Sequence, residues 1–471
     1  MKNYIYTLLI CLTTSIAYSA TYKVGSSRTY TSPNALYVAD ILQDGDIIEI
    51  DAEEYKGTEA LAVWMQNNLT IRGMGGMPHL IAEEQYIWGK GIWVLAGDNI
   101  TVENIEFSGA TVPDQNGAGI RLDGIGMTVR ECYFHDNEDG ILTTNTFDGN
   151  ILIEYCEFDN NGFGDGQSHN IYIGHCNELI FRYNYSHHAF IGHNLKSRAQ
   201  DNIILYNRIM DEESGESSRL IDLSVGGFTI IMGNLLMQGN NAPNKNLVGY
   251  GLEGLTNENN EFYFINNTCV NKRQASGQFL DLAAGAATVK VANNIFAGIG
   301  EVINVADAEM SNNINNTSIG DLLFIDEAQY NYSLATNSPA IDMGIDVGEV
   351  NGYSLRPENV YEHPTNFTQR IIDGPIDVGA YEAQLSSSNR VIREDNIVIY
   401  PNPFQELLTI ENMGQEIYDI KMTDHLGRDL SSTLSYTLDN GQATINTSSL
   451  PNGVYLIHVG KAQRKIIKFW N

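Results

Sequence analysis

Ser168-His169-Asn170-Ile171-Tyr172-Ile173-Gly174 and Gly192-His193-Asn194-Leu195-Lys196-Ser197-Arg198 repeat a His-Asn-apolar core 24 residues apart, and each alternates apolar with polar side chains as a half-buried strand does. Stacked as neighbouring rungs about 4.8 Å apart, they set His169 over His193, Asn170 over Asn194 and Tyr172 over Lys196. Arg198 follows one pleat along.

The same ladder extends in both directions. It starts at Asn68-Leu69-Thr70-Ile71-Arg72-Gly73, and aligning the strands by their apolar ends puts Ile105, Cys132, Cys156, Asn184, Asn207, Asn234, Asn267 and Asn294 in one column, at steps of 23 to 33 residues. Such a period, with glycine and Asn/Asp turns between short strands, marks a stacked solenoid rather than a sandwich. Each unit holds a second strand, among them Gly119 to Asp123, Gly140 to Thr143, Leu220 to Leu223 and Gly251 to Glu253. The fold class is therefore all-β, a parallel β-helix. The asparagines of the column read as an inward stack satisfying turn backbone groups and one another. Asn170 and Asn194, preceding the inward Ile171 and Leu195, are expected to point outward.

Before the ladder, Ser32-Pro33-Asn34 is followed by Ala35, Val38, Ala39, Leu42 and Gly45. A serine N-cap, a proline at the first helical position and a closing glycine predict a short amphipathic helix that plugs the open end of the stack. Residues 1–20, with Lys2, an apolar run from Tyr6 to Leu12 and small residues at Ala17 and Ser19, read as a secretory signal peptide cut near Ser19 or Ala20. Cys11 follows Ile10 rather than a small residue, against a lipoprotein signal. No later run is long enough for a membrane span.

The net charge of -31 argues against nucleic acid as a partner. An anionic substrate needs a local basic groove, and five of the ten histidines (His169, His175, His187, His188, His193) lie near Lys196, Arg198, Arg208 and Arg219 in the sequence. Cys132, Cys156, Cys176 and Cys269 show no zinc spacing and read as small core residues. No motif fixes a metal. Calcium is open, since Asp159-Asn160-Asn161-Gly162 and Asp165 offer oxygen donors.

Residues 21–383 form the solenoid, 384–395 a serine-rich linker and 396–471 a second domain. That last part carries Tyr400-Pro401-Asn402-Pro403-Phe404, Asp424-His425-Leu426-Gly427-Arg428, Leu450-Pro451-Asn452-Gly453-Val454-Tyr455-Leu456 and a basic tail (Lys461, Arg464, Lys465, Lys468). It resembles the C-terminal sorting domain of the type IX secretion system of the Bacteroidota. The resemblance implies a small β-sandwich, recognition by the secretion machinery, and later removal. Ser338-Pro339-Ala340-Ile341-Asp342-Met343-Gly344 and Ile376-Asp377-Val378-Gly379-Ala380-Tyr381-Glu382 resemble the closing stretch of secreted β-helix proteins.

Lys196-Ser197 on an outward rung, with Asn170 one coil earlier, resembles the secreted polysaccharide lyases of the right-handed, pectate-lyase-like β-helix superfamily. Those enzymes act on uronic acid polymers such as alginate, chondroitin or pectate. The sequence departs from them in two ways. Asp222 follows Lys196 where an arginine is expected, Arg219 standing three residues early, and His193-Asn194 replace a calcium-binding Glu-x-Glu. β-Elimination removes the proton next to a uronate carboxylate, so that carboxylate must be neutralised while a base and an acid act. Lys196 is the candidate base beside Arg198, and Tyr172 the acid. Asn170, Asn194, His169 and His193 are candidates to hold the carboxylate, and Arg219, Asp222 and Glu253 to line the substrate. In the plainer reading Lys196 simply pairs with Asp222. Two alternatives stand beside the lyase: a glycoside hydrolase using Asp222, Glu253 or Asp281, and a non-catalytic carbohydrate-binding adhesin. The chain reads as a monomer.

Overall fold

The computed structural model describes residues 19–372, 374–383 and, in the C-terminal part, 397–400, 407–412, 420–424, 428, 430, 435–439, 442–450, 453–459 and 462–468. Most of the signal peptide and all of the linker lie outside these residues, as do Pro401-Asn402-Pro403-Phe404, His425-Leu426-Gly427, Pro451-Asn452 and Lys461 of the sorting-domain motifs.

Two compact units result, 1–384 and 385–471. The first is a parallel solenoid with three strands per coil. Each coil contributes to a first sheet of twelve strands, then a second of eleven, then a third of ten. Ile100–Glu103, Glu106–Ser108 and Ala118–Leu122 make one coil, and Met127–Arg130 opens the next in register with Ile100–Glu103.

Stacking like on like builds the core. Phe107, Phe134 and Phe158 stack with centroids 5.0 Å apart at each step and rings within 4° of parallel. At the corner between the first and second sheets, Asn207 donates its amide to Phe181 O and Asn234 Oδ1, and its own Oδ1 accepts from the backbone and amide of Asn184. Asn234, Asn267 and Asn294 repeat this pattern coil after coil. Every corner amide is thereby satisfied without water, the condition for burying it. The four described cysteines are buried and unbridged, Cys132 and Cys156 extending the asparagine column.

The N-terminal helix spans Pro33–Ala39, with Ser32 Oγ accepting from Ala35 N–H at 3.1 Å. Two details differ from the sequence reading. The buried residues are Pro33 and Leu36, whereas Val38 is exposed, because one short helix meets the end of the stack along a narrower stripe than its apolar residues mark. The helix closes on Asp40 in the left-handed conformation, φ 50°, and Gly45 belongs to a later turn.

After the last coil, short antiparallel hairpins fold back along the solenoid. Tyr353 Oη donates to Glu178, and Asn359 Nδ2 donates to Tyr183 Oη. Arg370 is the buried clasp of the closing stretch: it donates to Glu382 at 2.6 Å and to the carbonyls of Gly379 and Asp377. Among the described residues of the second unit are two antiparallel sheets, of four and three strands, whose apolar faces meet in one cluster that includes Leu408, Ile410, Met422, Ile445 and Ile457.

Candidate functional site

The third sheet pairs Tyr172 with Lys196 and Lys196 with Asp222, so phenol, ammonium and carboxylate stand on consecutive rungs. Lys196 Nζ lies 5.2 Å from the Tyr172 ring centre and Arg198 Cζ 5.4 Å, a double cation–π contact on a half-buried ring. Both cations are claimed by one acid. Glu253, 43% exposed, accepts from Lys196 Nζ at 3.0 Å and from Arg198 Nη2 at 2.5 Å. Asp222 Oδ2 is 4.0 Å from the same ammonium.

Glu253 arrives from two coils further on. The turn after Asn246–Tyr250 folds back along the sheet, Gly251 N–H donating to Leu223 O and Glu253 N–H to Ser224 O. Gly249 makes room for it: a Cβ there would stand 2.8 Å from Leu252 Cδ1 and 2.9 Å from Asp222 Oδ1. Burial raises the Glu253 carboxyl, but the Lys196 hydrogen bond, with the charges of Lys196 and Arg198, outweighs it and holds the group below the usual carboxylate range. Tyr172 moves the other way. Burial pushes its phenol up, Arg198 only partly opposing, so it keeps its proton.

His169 and His193 stack as the repeat implies, rings 4.8 Å apart and within 7° of parallel. Both are buried, however, and His169 Nδ1 accepts from His193 N–H at 3.0 Å. Burial drives both imidazoles well below their ordinary value, with neighbouring charges adding, so they stay neutral. His193 Nε2 lies 3.7 Å from Asp222 Oδ2. Neither ring is placed to meet a polymer.

Asn170 and Asn194 correct the expectation most clearly. Both are 0% exposed and point inward. Asn170 donates to Phe158 O, Ser186 Oγ, His187 O and Asn194 Oδ1, within a chain of buried amides that begins at Asn137 and Asn161 and ends at Ser217 and Asp211. The corner between the second and third sheets turns two successive residues inward, which a period of two cannot express. Asp222 is also buried, accepting from Ser224 Oγ at 2.7 Å, with Arg219 Nη1 3.5 Å from its other oxygen. Asp281 accepts from Asn246 and Asn304. Of the three candidate acids of the hydrolase alternative, Glu253 alone is exposed, and the cations hold it.

The five histidines do not make one groove. His175 stacks on Phe147 in a turn, while His187 and His188 belong to the second sheet and its following corner. The oxygen donors considered for calcium are likewise dispersed. Asn161 is locked in the amide chain, Asn160 binds Asp136, and Asp165 caps Gln167 and Ser168.

Residues 56–189 match the family described as right handed beta helix region, and residues 398–470 match the secretion system C-terminal sorting domain. The chain is an exported β-helix protein. The sorting domain sends this β-helix to the cell surface or beyond through the type IX system. Among the described residues no helix is long and apolar enough to cross a membrane. No curated protein matches the chain.

Proposed function

We propose that this β-helix acts outside the cell on a uronate-containing polysaccharide lying along the third sheet, as a lyase of the pectate-lyase-like kind. The observation that carries the reading is the Glu253 carboxylate seated between Lys196 Nζ and Arg198 Nη2, with the Tyr172 ring against both cations. A uronate carboxylate that displaces Glu253 pairs with the Arg198 guanidinium, which neutralises its charge where elimination requires it and leaves Lys196 to act as the base.

An ammonium has no lone pair and cannot accept a proton. As Glu253 swings away, Lys196 must release one proton to solvent. The free amine then takes the proton next to the uronate carboxylate, the electron pair forms the double bond, and the glycosidic oxygen leaves with the Tyr172 proton.

One observation favours a second reading, a surface that grips an anionic polymer without cutting it: Lys196, Arg198 and Arg219 are all ion-paired already. Incubation of the secreted chain with a panel of uronic polymers separates the two. Ultraviolet absorbance from unsaturated uronate ends supports the lyase, new reducing ends without that absorbance indicate hydrolysis, and retained binding with neither signal leaves the adhesin. In Lys196→Ala the elimination rate should fall about 10²–10⁴-fold, the usual scale for losing a general base. Full activity in that variant removes Lys196 from the mechanism.

A further inference from the structure

The second sheet carries a cluster that the third-sheet site does not use. Glu157–Asp159 and Tyr185–His187 are neighbouring strands, with Asp159 opposite His187 and Glu157 opposite Tyr185. His188 follows in the left-handed conformation, φ 50°, which breaks the strand alternation and brings its ring round beside that of His187. As a result His187 Nδ1 is 2.6 Å from His188 Nδ1, and Asp159 Oδ1 lies 3.2 Å from the first and 3.7 Å from the second.

The outer nitrogens of both rings are already engaged. His187 Nε2 lies 3.2 Å from Glu157 Oε1, and His188 Nε2 lies 3.3 Å from Ser214 Oγ. A Glu157 carboxylate can only accept, so the His187 Nε2 hydrogen points to it and Nδ1 is the nitrogen left facing Asp159 and His188. With Ser214 Oγ accepting from His188 Nε2–H, His188 Nδ1 is a third acceptor, and acceptors converging at this range repel one another unless a proton or a cation sits among them. The three distances, from 2.6 to 3.7 Å, bracket about 3.3 Å, the edge of a tetrahedron whose metal–ligand bonds are about 2.0 Å. A carboxylate on the far nitrogen of a ligating histidine is the arrangement that orients such rings in metal sites. Beside the cluster opens a cavity of about 430 Å³, lined also by Asp136, Asn160, Phe190, Ser214 and Glu216.

We propose that Asp159 Oδ1, His187 Nδ1 and His188 Nδ1 form a three-ligand site for a divalent transition-metal ion of the zinc class, its open position facing this cavity. Two imidazoles and one carboxylate suit that class better than calcium, which takes oxygen donors. The fourth position is left for water or an oxygen donor of whatever occupies the cavity. A second triad on the same sheet, His79, Glu106 and His135, is less suited, because His79 Nε2 is already 2.7 Å from Ser108 Oγ.

The test uses the full, untagged chain stripped with a chelator and titrated with Zn²⁺ alone by calorimetry. One equivalent should bind. Asp159→Asn and His188→Ala should each lose it, and His135→Ala should keep it. Glu157→Gln, outside the ligand set, should bind about 10–100-fold more weakly, which keeps the proposal testable if a ligand variant fails to fold. No saturable uptake by the parent, undiminished uptake by Asp159→Asn and His188→Ala, or loss in His135→Ala overturns the assignment.

Discussion

A buried polar residue in this solenoid is decided by where its hydrogen bonds end. The corner asparagines hand theirs from coil to coil, but the second chain of amides, from Asn137 through Asn170 and Asn194, ends on Ser217 and Asp211. Asp211 is fully buried, and burial, only partly offset by hydrogen bonds from Gly239, Ser217 and Asn194, pushes its carboxyl up to about 7. Between the ordinary aspartate value of about 3.9 and about 7 the folded chain therefore holds a proton that the unfolded chain has released. The sign follows: stability from this group is full below the lower value and drains away as pH rises through the window. Denaturation midpoints of the parent should thus fall relative to those of Asp211→Asn across that range. Parallel curves for the two proteins would contradict the assignment. His169 and His193 act in the opposite sense, losing stability as pH drops below about 6.5, but they are common to both proteins and cancel.

At the scale of the element, the turn from Gly251 to Gly254 is the part that the sequence pattern misplaces. Read as a rung, Glu253 belongs two coils beyond Lys196; folded, it lies back over Gly249 and covers both cations. If that turn guards a carboxylate notch, Glu253→Gln should bind a uronic polymer several-fold more tightly in affinity electrophoresis. The same change should shift unfolding by no more than about 1 kcal/mol, the usual ceiling for an exposed ion pair. Unchanged affinity would mean that the turn does not compete with polymer. The second sheet teaches a complementary lesson. Asp159 and His187 each stand three positions after their column residue, Cys156 and Asn184, so their pairing was legible from the same alignment. What was not legible is His188, because its backbone leaves the alternation on which the reading depends.

The whole molecule divides its tasks between two units. Removing residues 385–471 should leave the melting temperature of the solenoid unchanged while the protein accumulates in the periplasm, as cell fractionation and a thermal melt would check. Retained export would show that the sorting domain is dispensable. The sequence by itself determined the stacked fold, the capped N-terminus, the inward asparagine column, the Tyr172–Lys196 pairing and the export signal. Each of these is a local or strictly periodic property, and in-register parallel stacking carries periodicity directly into space. Only the tertiary structure decided which outward residues are free and which are spoken for. Corners, left-handed residues and back-folded turns join positions whose spacing obeys no period, and so Glu253 came to rest on Lys196 and Arg198, and His188 came round to Asp159.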